Sequence, residues 1–363
     1  MPPITLDGTR GITTPTYNGS TTAEYLVPVT GFKNRIINGD MTIDQRNAGA
    51  QITPSVQYTL DRWIFVPTQA SKFTLQQNAG SVTPPAGFTN YLGITSTSSY
   101  SVLSSDTFFF AQFIEGFNTA DLDFGKSTAK TVTLSFWVRS SLTGTFGGAF
   151  LNSAANRSYP FSYTISAANT WEQKSITVAG DTTGTWVGAT NGIGLQIRFG
   201  LGSGSTYTGT AGAWVAGDLV QSTGNTSVVG TNGATFYITG VQLEVGSNAT
   251  SFDYLPYGTE LALCQRYFQI APITYGAAIN TTTLGTCYDY PVVMRAVPTL
   301  ALLTSTPYAE IPLTTGYTAS GATVAGYSYA GGTGLTVTGF TGFTTGRAPI
   351  LLDNNQVSVS AEL

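Results

Sequence analysis

The feature that most constrains this chain is a period of two in its apolar residues, met again and again after about Asn34. In 131–139, Val132, Leu134, Phe136 and Val138 share one side, while Thr131, Thr133, Ser135, Trp137 and Arg139 share the other. Ile193, Leu195, Ile197 and Phe199 alternate with Gln196 and Arg198, and Phe161, Tyr163 and Ile165 repeat the pattern. Side chains of a strand point alternately to opposite faces, so this spacing predicts half-buried strands rather than helices. Trp63-Ile64-Phe65-Val66 is apolar on both sides, as a covered strand is, and Trp63 reads as core. In 235–245 the apolar parity changes, from Phe236 and Ile238 to Val241, Leu243 and Val245. Gly240 stands at the slip, which predicts a β-bulge.

Turn residues separate these runs at short intervals: Asn78-Ala79-Gly80, Pro84-Pro85, Gly202-Ser203-Gly204 and Thr231-Asn232-Gly233 among them. Around ten short strands between 35 and 256 predict a two-sheet jelly roll. Residues 1–34, interrupted by Pro2, Pro3, Pro15 and Pro28, read as an extended arm that something else must hold. One window, 259–268, has helical spacing, with Leu261, Cys264, Gln265 and Phe268 on one face and Thr259 as the expected cap. The expected architecture is therefore all-β. It has an arm (1–34), a jelly-roll β-sandwich (35–256), a short helical joint (257–268) and a smaller C-terminal β domain (269–363), in which Asp353-Asn354-Asn355 reads as a hairpin turn.

Composition narrows the function. Only 9% of the 363 residues are charged and none is histidine, which excludes every histidine-based triad, general base and metal site. Fifteen basic against nineteen acidic residues leave no basic footprint for nucleic acid. No export signal and no apolar run of about 18 residues are read, so synthesis in a cytosol without membrane insertion is expected. The carboxylates are scattered and no spacing singles out an acid pair, so an enzyme is not expected. Asp121-Leu122-Asp123 reads as a solvated turn rather than a calcium loop, and no metal or cofactor is expected. Cys264 and Cys287 read as buried free thiols, with a disulfide between them as the alternative.

Aromatics are the more telling inventory, because Trp and Tyr rings stack on the apolar faces of sugars. Trp186, Tyr207 and Trp214 lie in turn-rich segments, and Tyr327 and Tyr329 lie in the C-terminal domain; these five are the candidate stacking residues. Trp171 reads as a lid on the core, and Trp137 falls on the polar side of its strand.

Several phrases resemble a jelly-roll domain of tailed-bacteriophage fibre proteins, over roughly residues 34–300. They are Asn34-Arg35-Ile36-Ile37-Asn38-Gly39-Asp40-Met41, Asp44-Gln45-Arg46, Tyr58-Thr59-Leu60-Asp61-Arg62-Trp63 and Ser135-Phe136-Trp137-Val138-Arg139-Ser140. The run 236–246, the joint phrase 256–267 and Pro291-Val292-Val293-Met294-Arg295 complete the set. The resemblance implies a virion structural protein on the particle surface, with a fold similar to carbohydrate-binding jelly rolls. It also implies a homotrimer that is attached to other virion proteins through its arm and presents distal domains to host-surface glycan. Ile4, Leu6, Tyr25, Leu26 and Val27 are the arm's candidate attachment residues. A head-fibre, capsid-decoration or collar protein of purely structural role is the alternative. The family carries no catalytic motif onto this chain.

Overall fold

The computed structural model describes residues 5–7, 11–13, 33–271, 274–304, 306–311, 315–352 and 357–363. The chain divides between Lys33 and Asn34 into two compact units. In the first, β1 (Thr5–Asp7) pairs antiparallel with β2 (Gly11–Thr13). Of the candidate attachment residues, Ile4, Tyr25, Leu26 and Val27 lie outside the described residues. Leu6 is described only as part of β1.

The second unit begins with the expected sandwich. Its strands are β3 (Gln57–Tyr58), β4 (Ile64–Pro67), β5 (Phe73–Gln77), β6 (Leu92–Ser96), β7 (Thr107–Glu115), β8 (Val132–Ser140) and β9 (Gly144–Leu151). They continue with β10 (Arg157–Ile165), β11 (Glu172–Val178), β12 (Ile193–Ser203), β13 (Thr208–Gly209), β14 (Val215–Ala216), β15 (Gln221–Ser222) and β16 (Thr235–Val245). One sheet has the order β14-β10-β9-β12-β7-β4-β3 and the other β11-β8-β16-β6-β5, while β13 and β15 form a separate parallel pair. The alternating apolar residues meet between the two sheets. Val132, Leu134, Phe136 and Val138 of β8 face Leu195, Ile197 and Phe199 of β12 across a core that includes Trp63. Phe110 and Phe199 stack there at 5.0 Å, and Phe136 meets Phe199 edge-on. β4 is covered on both sides, as its sequence requires: Phe65 enters the core, and Ile64 and Val66 pack outward with Phe109 and Tyr207.

The parity slip is a bulge. The register of β16 against β8 shifts between Thr239 and Gln242, and Gly240 sits at φ +61°. A Cβ at Gly240 would lie 2.5 Å from the Phe88 ring, so glycine answers both the backbone and the packing there.

The helix, α1, spans Tyr257–Gln265, two residues earlier than its spacing suggests. Pro256 precedes its first turn, so Thr259 lies inside the helix and does not cap it. Phe268 belongs to the next strand instead. Beyond the helix lie β17 (Phe268–Ala271), β18 (Thr274–Ala278), β19 (Leu284–Asp289), β20 (Thr299–Leu302) and β21 (Tyr308–Ile311). β22 (Thr315–Thr318), β23 (Val324–Tyr329), β24 (Gly332–Val337), β25 (Ile350–Leu352) and β26 (Val357–Ser360) complete the chain. They form a three-stranded sheet, β17-β26-β20, and a seven-stranded one, β22-β21-β25-β18-β19-β24-β23. The expected 353–355 turn lies outside the described residues. Cys264 is buried, but Cys287 is exposed on β19, on the opposite side of the strand from Leu284 and Thr286, which are buried; both thiols are free.

The joint between sandwich and C-terminal sheets is polar and buried. Arg266 bonds Glu115 through Nε (3.0 Å) and a terminal nitrogen (2.7 Å), and the Tyr267 hydroxyl donates to the same carboxylate at 2.8 Å. Glu362 lies between Arg46 (2.6 Å) and Arg62, and Arg62 also lies over the Tyr267 ring. Arg295 holds the carbonyls of Ala361 and Glu362, while the Tyr58 hydroxyl donates to that of Leu363 at 2.7 Å. The fibre-like phrases around Asn38, Asp61 and Arg266 therefore meet at one joint.

Candidate sugar-binding face

The five tryptophans differ in what their indole N–H groups do. That of Trp63 donates to the Asn38 carbonyl at 2.9 Å, and that of Trp171 to Thr83 at 2.9 Å. Trp186 donates to Thr183 at 3.1 Å and Trp214 to Ala179 at 2.8 Å. Among the described residues, Trp137 alone has neither a protein acceptor nor an aromatic neighbour, and it is only half-buried. A buried indole N–H almost always finds a partner, so a free one on a surface is available to a ligand.

Strand register explains how Trp137 is presented. It sits on the outer side of β8 in the five-stranded sheet, directly between Gln173 of β11 and Thr239 of β16. Ser175 and Ser135 pair two positions away on the same side, and Arg139 and Tyr237 two positions the other way. Neighbouring strands are about 4.8 Å apart. The face thus presents a partly exposed indole ring beside the exposed Gln173 and Ser175 of β11, while Ser135, Tyr237 and Thr239 around it are buried.

One border is aromatic. Tyr91 packs against Tyr237 at 5.1 Å and against Trp171 at 5.6 Å, and Arg139 lies over Tyr237 while its Nε donates to the Asn169 carbonyl. Trp171 therefore seals this border rather than the main core. The opposite border is closed by 250–253: Thr250 donates to Glu244, and the Asp253 N–H donates to Gln242. What is left between them is a strip in which the partly exposed Trp137 ring lies beside Gln173 and Ser175, with the Arg139 guanidinium towards one border.

The structure places the sequence-derived candidates elsewhere. Trp186 and Trp214 come together edge-to-face at 5.3 Å, joined by Phe124 and by Tyr159, at one end of the sandwich. Tyr207 is half-buried on the outer side of the seven-stranded sheet, against Phe109 and Val220. Tyr329 is 57% exposed on β23, far along the chain from both, and the Tyr327 side chain lies outside what is described. The signal for Trp137 is present in the sequence: it is a tryptophan among the threonine, serine and arginine positions of an alternating strand.

Several carboxylates are engaged in structure. Asp181 is buried and takes two bonds from Arg157, at 2.7 and 2.8 Å. Despite burial, these bonds hold its carboxyl below the usual range. Asp121 pairs with Arg35, and Asp123 with Lys126 and Thr128, so the 121–123 segment is a turn whose charges are answered by protein cations. Among the described residues no cluster of three potential metal ligands occurs, and no helix is long and apolar enough to cross a membrane.

No protein-family model matches this chain, and no curated protein does. Among solved structures it is similar to the enzymatically active domain of tailspike protein 4 of bacteriophage CBA120, at 14% identity and a TM-score of 0.33. That match covers 59% of this chain and spans only 22% of the tailspike domain's length. A putative sugar-binding protein from Bacteroides thetaiotaomicron is similar at 11% identity and TM-score 0.35, over 59% of this chain and 100% of that one. A family 11 carbohydrate-binding module from Clostridium thermocellum is similar at 11% identity and TM-score 0.27, over 56% and 99%. At TM-scores of this size none of these likenesses says what this chain binds.

Proposed function

We propose that this chain is a carbohydrate-binding protein without catalytic activity, and that the outer face of its five-stranded sheet is the sugar platform. The observation that carries this reading is Trp137, whose N–H has no protein acceptor and whose ring is partly exposed beside the exposed Gln173 and Ser175. An indole under the apolar face of a sugar, with neutral donors and acceptors at strand spacing around it, is the arrangement that holds a neutral saccharide.

The test is a glycan array probed with the full chain and with Trp137→Ala, both checked by circular dichroism. The expected result is binding to a neutral glycan that falls about tenfold or more in the variant, the scale of one lost stacking contact with its buried area. Undiminished binding by the variant, or none by the parent chain, overturns the proposal.

The sequence phrases extend the reading to a fibre subunit on a phage particle. The arm at 1–34 would attach it to other virion proteins, and a trimer would multiply weak sugar contacts by avidity. Cryo-electron microscopy of the intact particle is expected to place this sandwich on a tail fibre; density on the capsid faces instead would favour the head-fibre alternative.

A further inference from the structure

At the end of the sandwich where Trp186 packs, the structure holds a partly enclosed cavity of about 80 Å³. Its apolar wall is made by Phe124, Trp186, Val187 and Leu195, and the charged groups of Asp123 and Lys126 lie at its lining, 2.7 Å apart. Lys126 is 66% exposed and Asp123 32%, so this pair sits at the mouth while the apolar wall lies behind it. Thr119, Ala120, Gly188 and Gly194 complete the lining, and only Gly188 borders open space that a side chain would take.

Size and chemistry together restrict the occupant. Sites that enclose a whole drug-sized ligand run from about 300 Å³ upward, so a pyranose ring does not fit. Space of this size takes a few heavy atoms. The apolar wall favours a methyl group. At the mouth, the Lys126 ammonium keeps two N–H donors beyond its bond to Asp123, and the Asp123 carboxylate keeps lone pairs beyond those taken by Lys126 and Thr128, which suits a group with both a C=O and an N–H. An acetamido group has a methyl, a carbonyl and an N–H in that compact order.

We infer that this cavity is a second saccharide subsite, which receives the acetamido substituent of a 2-acetamido sugar. The methyl goes against Phe124 and Trp186, and the amide faces Asp123 and Lys126. The inference takes its ligand class from the carbohydrate-binding reading above but uses residues remote in sequence from Trp137, so the two fail separately.

The experiment is saturation-transfer difference NMR on the full chain, with methyl N-acetyl-β-D-glucosaminide and methyl β-D-glucoside as probes, repeated with Trp137→Ala, Trp186→Ala and Lys126→Gln. The acetyl methyl is expected to receive the strongest saturation and to keep it in Trp137→Ala. It is expected to lose it in Trp186→Ala and to bind about tenfold more weakly in Lys126→Gln, whose exposed position leaves the fold intact. Equal transfer from the two probes, or methyl saturation that persists in both Trp186→Ala and Lys126→Gln, overturns the inference. Loss in Trp137→Ala with no change in the other two overturns it as well, while leaving the platform reading in place.

Discussion

Two carboxyl groups at the joint, buried Asp61 and half-buried Glu260, set how single residues respond to pH. Asp61 is fully buried and accepts bonds from the Gln45 N–H (2.7 Å) and side-chain amide (2.9 Å). Desolvation outweighs these bonds and the nearby Arg46 charge, and pushes its carboxyl up to about 6. Glu260 accepts the Asn38 N–H, yet burial, with Asp40 and Asp253 close by, pushes it up to about 7. Both folded values lie above those of an unfolded chain, near 4. The folded state therefore holds these protons more tightly, and the stability they contribute is fully present below about pH 4. It is lost as pH rises through 6 and 7. Urea denaturation at pH 5 and pH 8 should give the higher midpoint at pH 5. In Asp61→Asn, which cannot titrate, the difference should shrink; an undiminished difference would assign the effect to other groups.

At the scale of elements, periodicity was a sufficient guide wherever one face of a strand meets the core. Val132, Leu134, Phe136 and Val138 are all buried as their alternation demands, and the Gly240 slip is a real bulge. Periodicity fails where a boundary is set by something other than burial. The helix starts at Tyr257 because Pro256 ends the preceding extended segment, a steric event that side-chain spacing does not record. Cys287 differs for a related reason: Thr286 beside it is buried, but on a strand successive residues face opposite sides, so Cys287 faces out. The candidate site was legible in part. Loop position drew attention to Trp186 and Trp214, yet aromatic rings in loops that cap a sandwich tend to find each other, as these two do. Trp137 carries a different signal, a large ring on the polar parity of a strand. Whether its N–H was claimed depended on contacts between β8, β11 and β16, which no local sequence window contains.

The molecule as a whole depends on a clamp that joins distant parts of the chain. Glu362 lies at the end of the C-terminal sheets, Arg46 and Arg62 in the first part of the sandwich, and Tyr267 just after the helix. Arg62 is 1% exposed. Burial alone would pull its guanidinium down, but the Glu362 carboxylate more than offsets this and holds it charged. Such a pair adds little net stability over an apolar substitute, because desolvating two charges consumes most of their attraction. Breaking it is another matter, since it leaves a guanidinium buried without its counter-charge. Glu362→Ala is therefore expected to cost about 3–5 kcal/mol, read as a lower denaturation midpoint. Arg46 would also lose its partner, but it keeps its contact with the Phe268 ring at 3.6 Å and is less deeply buried. The double variant Arg62→Met/Glu362→Leu removes both charges and keeps the volume, so it should recover most of the loss. If the clamp fixes the C-terminal sheets against the sandwich, limited proteolysis of Glu362→Ala should cut first between Gln265 and Arg295, while the double variant stays resistant there. A Glu362→Ala protein as stable and as protease-resistant as its parent would show that the apolar contacts of Ile37, Ile43, Cys264 and Tyr267 hold the joint without the charges.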